Sequence, residues 1–408
     1  MQYRRMGSLD WQVSALGFGC MRLPARRRML VKSVDPRESI AAIRLGIDRG
    51  INYLDTAYLY HLGRSEEIVG DALRGGYRER VKLVTKFPLI LARKTEDFET
   101  YLHRQLRRLK TDHLDAYLLH GLNRGLYEKA RRLGYVEKLE RAREAGTIRH
   151  VGFSFHDTFP VLREIIDSHP WDIVMVQYNY MDTGIQATTE GLAYAHGKGM
   201  AVVVMEPLKG GMLANPPRRA LAIMEEASVK RTPVDWALQF LWNGPEVSVV
   251  LSGMSTRDQV SQNCDSAERS GVGSLCPEDL EIIEKLAATF RERIIVGCTG
   301  CGYCLPCPEG VDIPDCFAIL NNAALAAQGN FGQRFYTHFM RRRYKKKARC
   351  HRELAGRPDG GSAELCVACG ACLPKCPQGI NIPEELKKVH AVLAKGERVD
   401  KYMERAPR

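Results

Sequence analysis

Eight cysteines fall in two runs whose spacing suits metal ligands. The first run is Cys298, Cys301, Cys304 and Cys307, followed by Pro308. The second is Cys366, Cys369, Cys372 and Cys376, followed by Pro377. The second run, C-x2-C-x2-C-x3-C-P, is a spacing that holds a 4Fe–4S cube. Three thiolates on one tight loop grip three irons. The fourth arrives from a distance, and the proline turns the chain away. With two such runs, the fourth cysteine of each serves the other cluster. Crossing predicts one cluster on Cys298, Cys301, Cys304 and Cys376, and another on Cys366, Cys369, Cys372 and Cys307. The first run is one residue short of the pattern at Cys307. Four thiolates also suit zinc, but zinc ribbons use paired C-x2-C knuckles and these are triple runs. Cys316 and Cys350 lie outside both runs and read as buried thiols.

A second constellation lies upstream. Asp55 ends one apolar run and is followed by Tyr60; Lys86 ends the next run, and His120 the one after. A strand-end lysine or a loop tyrosine is ordinarily structural. The four together form a coherent acid–base set. Tyr60 would donate a proton to a carbonyl oxygen. Lys86, held by Asp55, would favour the phenolate and draw the tyrosine towards working pH. His120 would hydrogen-bond the same oxygen and orient the substrate.

Those roles require elements that bring the four residues together. Short apolar runs bounded by turn residues predict strands at Leu16–Gly19, Ile51–Asp55, Val81–Lys86, Asp115–His120, His150–Ser154, Ile173–Gln177, Ala201–Met205 and Val247–Ser252. Helical periodicity covers Ser39–Arg49, Glu96–Leu109, Val136–Ala145 and Glu190–Lys198 between them. Strand–helix alternation predicts parallel strands, and eight over this length match a (β/α)8 TIM barrel. The alternative is a doubly wound open sheet, but no Gly-x-Gly-x-x-Gly opens a helix after the first strand. In a barrel all four residues converge on the C-terminal face, where active sites sit. The pattern stops near Arg293. We therefore expect a barrel over residues 1–290, then a small, mostly α-helical, ferredoxin-like module over 291–408. Within the module a cysteine run followed by Gly-(Val/Ile)-(Asp/Asn)-Ile-Pro occurs twice, ending at Pro314 and Pro383. A helical connector is expected over about 315–352, and a loop over Gly356–Gly361.

Composition sets the outer bounds. The 408 residues are 45% hydrophobic and 26% charged, with 36 Gly and 19 Pro, which excludes wholesale disorder and collagen. Mean hydropathy is -0.28. No apolar run of about 18 residues predicts a membrane span. The start, Met1-Gln2-Tyr3-Arg4-Arg5, lacks the apolar core of a signal peptide. A cytoplasmic protein follows as the expectation. Of 13 cysteines, ten lie in the last 111 residues, a lopsidedness foreign to secreted disulfide scaffolds. Net charge is +12, and from Cys298 onward 18 Lys and Arg against 11 Asp and Glu supply +7 of it. The run Arg341–Lys347 reads as a solvated helix face or, more sharply, as a docking surface for an acidic carrier such as ferredoxin or flavodoxin. No helix-turn-helix, zinc-finger or aromatic-stacking motif accompanies the charge, so nucleic acid is not expected as a partner. The segment Pro24–Pro36 follows the first strand and reads as a solvated loop or a lid with a preference for anions.

The Asp55/Tyr60/Lys86/His120 spacing and the phrases Leu16-Gly-Phe-Gly19, Asp55-Thr-Ala57 and Val151-Gly-Phe-Ser154 resemble the aldo-keto reductases over most of residues 1–290. With the cysteine module, the whole chain resembles the subgroup that carries a C-terminal 4Fe–4S ferredoxin-type domain. The resemblance implies NAD(P)(H) bound across the barrel mouth and hydride transfer to a small-molecule carbonyl substrate. It implies that Ser154 and Gln177 hold the nicotinamide carboxamide. Met205 and Glu206 follow at the mouth, Leu208 lies in the loop covering the pyrophosphate, and Gly253, Arg257, Gln259 and Asn263 lie at the adenosine end. The chain departs from the family at Phe155, where Asn follows the Ser, and at Met205, where Tyr stacks on the nicotinamide. It departs again at Gly253 and Gln259, where basic residues bind the 2′-phosphate. These departures leave NADH, NADPH and a flavin open. Three readings follow. The clusters pass electrons between the barrel site and an external carrier; or they are structural or regulatory additions to a conventional carbonyl reductase; or the barrel is a non-catalytic platform for an electron carrier.

Overall fold

The computed structural model describes residues 1–28, 31–326, 341–342, 344 and 361–403. Eight parallel strands close into a barrel: β1 (Leu16–Gly19), β2 (Tyr53–Asp55), β3 (Lys82–Phe87), β4 (Leu114–Leu122), β5 (Ile148–Phe155), β6 (Ile173–Gln177), β7 (Ala201–Met205) and β8 (Val247–Ser252). Neighbours follow chain order, and β1 closes the ring with Leu16 opposite Val250 of β8. All eight lie where the sequence places them. The doubly wound alternative is excluded by the closure.

The strands are nearly continuous Val, Ile and Leu because both faces are buried. Side chains alternate, so one parity faces the barrel interior. Tyr53, Val84, Leu118, Met175, Val203 and Leu251 belong to that inner cluster. The N-terminal hairpin, Tyr3–Arg5 paired with Gln12–Ser14, adds Met6, Trp11 and Val13 to it. The opposite parity, including Leu54, Leu83, Leu119, Phe153 and Val204, packs in the outer cluster under the helices. Two residues further along the inward parity stand Asp55, Lys86, His120, Gln177 and Met205. Ser154 joins them, because it pairs with inward-facing Met175. These six predicted site residues are thus the top layer of the barrel interior.

The segment after β1 is an antiparallel hairpin, Ala25–Arg28 with Val31–Val34, rather than the loop expected there. Its base is closed by the Asp35 amide donating to the Pro24 carbonyl at 2.8 Å. Asp35 then caps the helix Pro36–Asp48, accepting from the Arg37 and Glu38 amides.

By packing the chain forms two compact units. Met1–Pro207 with Val234–Cys276 is one; Leu208–Pro233 with Pro277–Arg408 is the other. The second unit contains the helices Arg218–Glu226, Pro277–Arg291, Ile313–Ala326 and Ile382–His390. Its core gathers Val311, Phe317, Leu320, Tyr344, Ile382, Leu386 and Val389, with cysteines packed against them. The internal repeat has a structural meaning. Pro314 and Pro383 each occupy the first turn of a helix, where the missing N–H costs nothing. Cys316 is buried, as expected of a core thiol. Of the basic run, Arg341, Arg342 and Tyr344 are described. Arg341 donates to the carbonyls of Leu393 and Ala394 at 3.3 Å, so one of its cations serves packing. Residues 343, 345–347 and Cys350 lie outside the described residues, as does most of the expected connector and of the loop at 356–361.

Candidate active site and thiol centres

The acid–base set comes together at the C-terminal end of the first unit's barrel. Lys86 Nζ donates to both oxygens of Asp55 at 2.7 Å and to the Thr56 carbonyl at 2.9 Å. It also reaches Tyr60 Oη at 3.3 Å. Lys86 and Asp55 are 1% and 3% exposed, whereas Tyr60 and His120 are half-buried. The Tyr60 and His120 rings meet edge to face, 6.0 Å between centroids. Tyr60 opens a turn in which His61 and Leu62 are left-handed, φ 52° and 57°. That conformation costs about 1–2 kcal/mol for each non-glycine residue, and it is met here beside the candidate proton donor.

The charges have definite tendencies. Burial pushes the Asp55 carboxyl up, and the adjacent Lys86 ammonium offsets part of that shift. Burial, then the Lys86 charge, then His156 hold the His120 imidazole well below its ordinary value. His120 is therefore neutral at physiological pH and can donate one hydrogen bond without carrying charge. The Cys20 thiol, at the end of β1, is pushed up by burial and by Asp55 and lowered by Lys86, so it remains a thiol.

Several supporting residues carry no sequence signal. Glu66, fully buried, accepts from Thr85 Oγ1 at 2.9 Å and from Gln105. Gln105 also donates to the Lys86 carbonyl at 3.1 Å, anchoring the end of β3. Only the meeting of two helices and a strand reveals this network. On the opposite side Ser154 Oγ accepts from the Gly121 amide at 2.7 Å. Gln177 Nε2 donates to Asp182 at 2.9 Å, and Gln177 Oε1 accepts from Gln186 at 3.3 Å. Gln186 Oε1 lies 3.2 Å from His156 Nδ1. Met205 is half-buried, and the Glu206 carbonyl, at φ 58°, accepts from Asn179 at 3.1 Å.

The residues assigned to the adenosine end follow β8. Gly253 is exposed, and Arg257 pairs with Glu38 at 3.4 Å. Gln259 Oε1 accepts from the Ser255 amide at 2.7 Å, and buried Asn263 donates to Ser252 Oγ at 2.9 Å. A groove lined by Pro24, Asp35, Glu38, Ser255, Thr256 and Arg257 opens beside them. Leu208 belongs by packing to the second unit.

The thiols meet in the crossed arrangement that the spacing predicts. Cys298, Cys301, Cys304 and Cys376 line one cavity together with Ile313, Phe317 and Ile380. The Cys304 thiol is pushed up to about 12, first by burial and then by Cys301, Cys298 and Cys376. Burial, then Cys366, Cys307 and Cys369, raise Cys372. Cys307, the irregularly spaced member, thus stands with the second run. Among the described residues no three such side chains close on a single ion. Four thiols around a cavity suit a cube of irons, whose positive charge would stabilise the thiolates.

A model of the aldo/keto reductase family matches residues 15–287. The chain belongs to the aldo/keto reductase family. A model of the 4Fe-4S dicluster domain matches residues 297–381, so this aldo/keto reductase carries a C-terminal 4Fe–4S domain. It is 28% identical over 300 residues to the uncharacterized oxidoreductase YqkF of Bacillus subtilis (strain 168), covering 65% of this chain and 91% of that protein. It is 25% identical over 283 residues to L-galactose dehydrogenase of Arabidopsis thaliana, covering 64% of this chain and 87% of that protein. Among solved structures it resembles aldo-keto reductase AKR11C1 of Bacillus halodurans in its holo form, at TM-score 0.59 and 28% identity. That match covers 70% of this chain and 96% of the other. An aldo/keto reductase of Klebsiella pneumoniae in complex with NADP and acetate matches at TM-score 0.58 and 25% identity, over 70% and 95% of the two chains. This aldo/keto reductase is an oxidoreductase, and among its described residues no helix is long and apolar enough to cross a membrane.

Proposed function

We propose that the protein interconverts a small carbonyl compound and its alcohol with NAD(P)(H), and that two 4Fe–4S clusters link this reaction to a one-electron carrier. The observation that carries the first part is Lys86 Nζ, placed between the Asp55 carboxylate and Tyr60 Oη. When bound, a reduced nicotinamide supplies the hydride. Tyr60 then gives its hydroxyl proton to the carbonyl oxygen as negative charge develops there. The Lys86 ammonium stabilises the phenolate left behind, and Asp55 keeps that ammonium in place. Neutral His120 donates to the same oxygen and fixes the substrate's orientation. Ser154 and Gln177 are proposed to hold the carboxamide, with Asp182 and Gln186 setting which way the Gln177 amide points. Met205 and Glu206 would flank the cofactor, and Gly253, Arg257, Gln259 and Asn263 would hold its adenosine end.

The crossed thiol sets fit one cluster each, and each cluster would take up or release one electron at a time. An acidic ferredoxin or flavodoxin suits the +12 charge of the chain. Thiolate ligands suit a reducing compartment, in keeping with a cytoplasmic location. One observation favours a purely structural role for one set: Cys304 is part of the second unit's apolar core.

The test is anaerobic mixing of the iron-loaded protein with NADH or NADPH, followed near 400 nm (roughly where thiolate-to-iron absorption lies). Bleaching within turnover time is expected. Carbonyl reduction with unmoved clusters would leave a conventional reductase. Tyr60→Phe should lower carbonyl reduction by about 10^2–10^4-fold with cofactor binding retained; near-normal rates would remove Tyr60 from its role.

A further inference from the structure

The turn that carries Tyr60 is not held at its tip. Leu62, at the tip, is 99% exposed. His61, Leu62 and Gly63 all take left-handed backbone, φ 52°, 57° and 88°. Strained backbone of that kind persists only where its surroundings over-determine it. On one flank His61 Nε2 accepts from the Leu23 amide at 3.2 Å. On the other, one side chain from a different helix gathers several contacts. Arg108 lies in the helix Asp97–Leu109 and reaches across to residues 58–66. Its guanidinium carbon stands 4.4 Å from the centre of the Tyr58 ring. Its Nη1 donates at 3.2 Å to Glu66 Oε2, in the first turn of the helix Arg64–Ala72. It also lies against Gly63, where an added Cβ would stand 3.0–3.2 Å from Nη2, Nη1 and Cζ. Residues on both sides of Tyr60 thus converge on one planar group. Arg104, four residues earlier on the same helix face, donates to Tyr58 Oη at 2.8 Å. The Thr56 and Ser65 hydroxyls, 2.9 Å apart, close the base of the segment.

We propose that Arg108 is a positioning residue for Tyr60: its guanidinium, packed between Tyr58, Gly63 and Glu66, sets how far Tyr60 Oη stands from Lys86 Nζ. The inference rests on the reading of Tyr60 as the proton donor and adds what keeps it in place. Arginine suits this task better than lysine, because a flat fork stacks on a ring and donates from its edge at the same time. Glycine suits position 63, because it takes the positive φ and leaves room for the guanidinium. The contact at stake is the 3.3 Å between Lys86 Nζ and Tyr60 Oη. Lengthening it weakens the ammonium's hold on the phenolate, so the phenol titrates at higher pH. It also moves the donated proton away from the carbonyl oxygen, which slows reduction.

The experiment places a meta-fluorinated tyrosine at position 60 of the iron-loaded full chain. Its phenol is titrated by fluorine NMR with neither substrate nor nicotinamide present. Arg108→Ala should raise the midpoint by about half a pH unit or more. With the natural tyrosine, the same variant should lower kcat for carbonyl reduction about 10–100-fold. The KM for the nicotinamide nucleotide should stay unchanged, and the alkaline limb of the kcat profile should move up with the phenol. Arg108→Lys keeps a cation for Glu66, which guards against a folding defect, and should fall between the wild type and Arg108→Ala. Tyr58→Leu should raise the midpoint as well, and combining it with Arg108→Ala should add little further. An unmoved midpoint in Arg108→Ala, or effects of the two substitutions that simply add, would overturn the role of Arg108. The titration needs no turnover. Carbonyl reduction that survives Tyr60→Phe would defeat the proton-donor reading and still leave the placement of Tyr60 by Arg108 tested.

Discussion

The barrel mouth and the cysteine loops solve the problem of positioning in opposite ways. At the mouth, strand register delivers the side chains. Val84 pairs with Asp55 across β2 and β3, and Lys86 with Leu118 across β3 and β4. Parallel ladders hydrogen-bonded on both sides hold those positions. The cysteine loops have little such support. Among the described residues around them are one isolated bridge, Val311 with Gly361, and the short turns Ala363–Leu365 and Leu373–Lys375. Their backbone passes through positive φ at Gly300, Gly302, Ala368 and Gly370. Cys304 is itself core, and Cys298, Cys307, Cys366, Cys372 and Cys376 pack against it. The mouth is therefore positioned by strand ladders, whereas the cysteine loops are positioned by turns and by packing on the second unit's core.

The sharpest way to break that contrast is to remove the iron. Chelation under reducing conditions should abolish hydrogen-exchange protection around 298–312 and 361–381 while leaving the barrel strands protected. Loss of protection in both units would show that the barrel also depends on the clusters. A smaller effect concerns Gly210, which the packing groups with the cysteine-rich unit. It has φ 69°, and an added Cβ would lie 2.1 Å from the Thr299 carbonyl oxygen. Gly210→Ala should destabilise that unit by about 2–4 kcal/mol, through strain and displacement of the Cys298–Cys301 loop. Chemical denaturation should show a lowered midpoint for the cysteine-rich unit alone.

The smallest effect is a pH dependence located in the barrel. Burial lowers the His156 imidazole to about 4, against about 6.5 in an unfolded chain. Between those values the unfolded chain binds more protons, so stability is fully present above pH ~6.5 and is lost as pH falls towards ~4. His156 is half-buried rather than fully enclosed, which limits the loss to about 2 kcal/mol. Thermal melts of the wild type and of His156→Gln across that window test it. The variant should show a shallower decline, and identical slopes would assign the dependence elsewhere. His120 is lowered in the same direction by burial, so some dependence should persist in the variant.

Much of this was legible in the residues. The eight strands announce themselves because a two-faced buried strand must be apolar along its whole length. Asp55, Lys86 and His120 stand out because polar residues ending such runs are costly to bury unless they meet partners. The cysteine spacing is legible because a loop gripping a cube has few workable lengths. The hairpin after β1 was not legible, since its pairing depends on closure at Asp35 and Pro24 rather than on any apolar alternation. Asp182, Gln186, Gln105 and Glu66 were equally silent, because a hydrogen bond between distant residues has no local signature. Sequence determined the composition of the top layer and the grouping of the thiols into two runs, both fixed by short-range periodicity and spacing. Tertiary structure alone decided that Lys86 Nζ stands 3.3 Å from Tyr60 Oη, that Cys376 joins the first run, and that Cys369 faces solvent. Distance and exposure are set by how separate segments pack, and packing is a property of the whole chain.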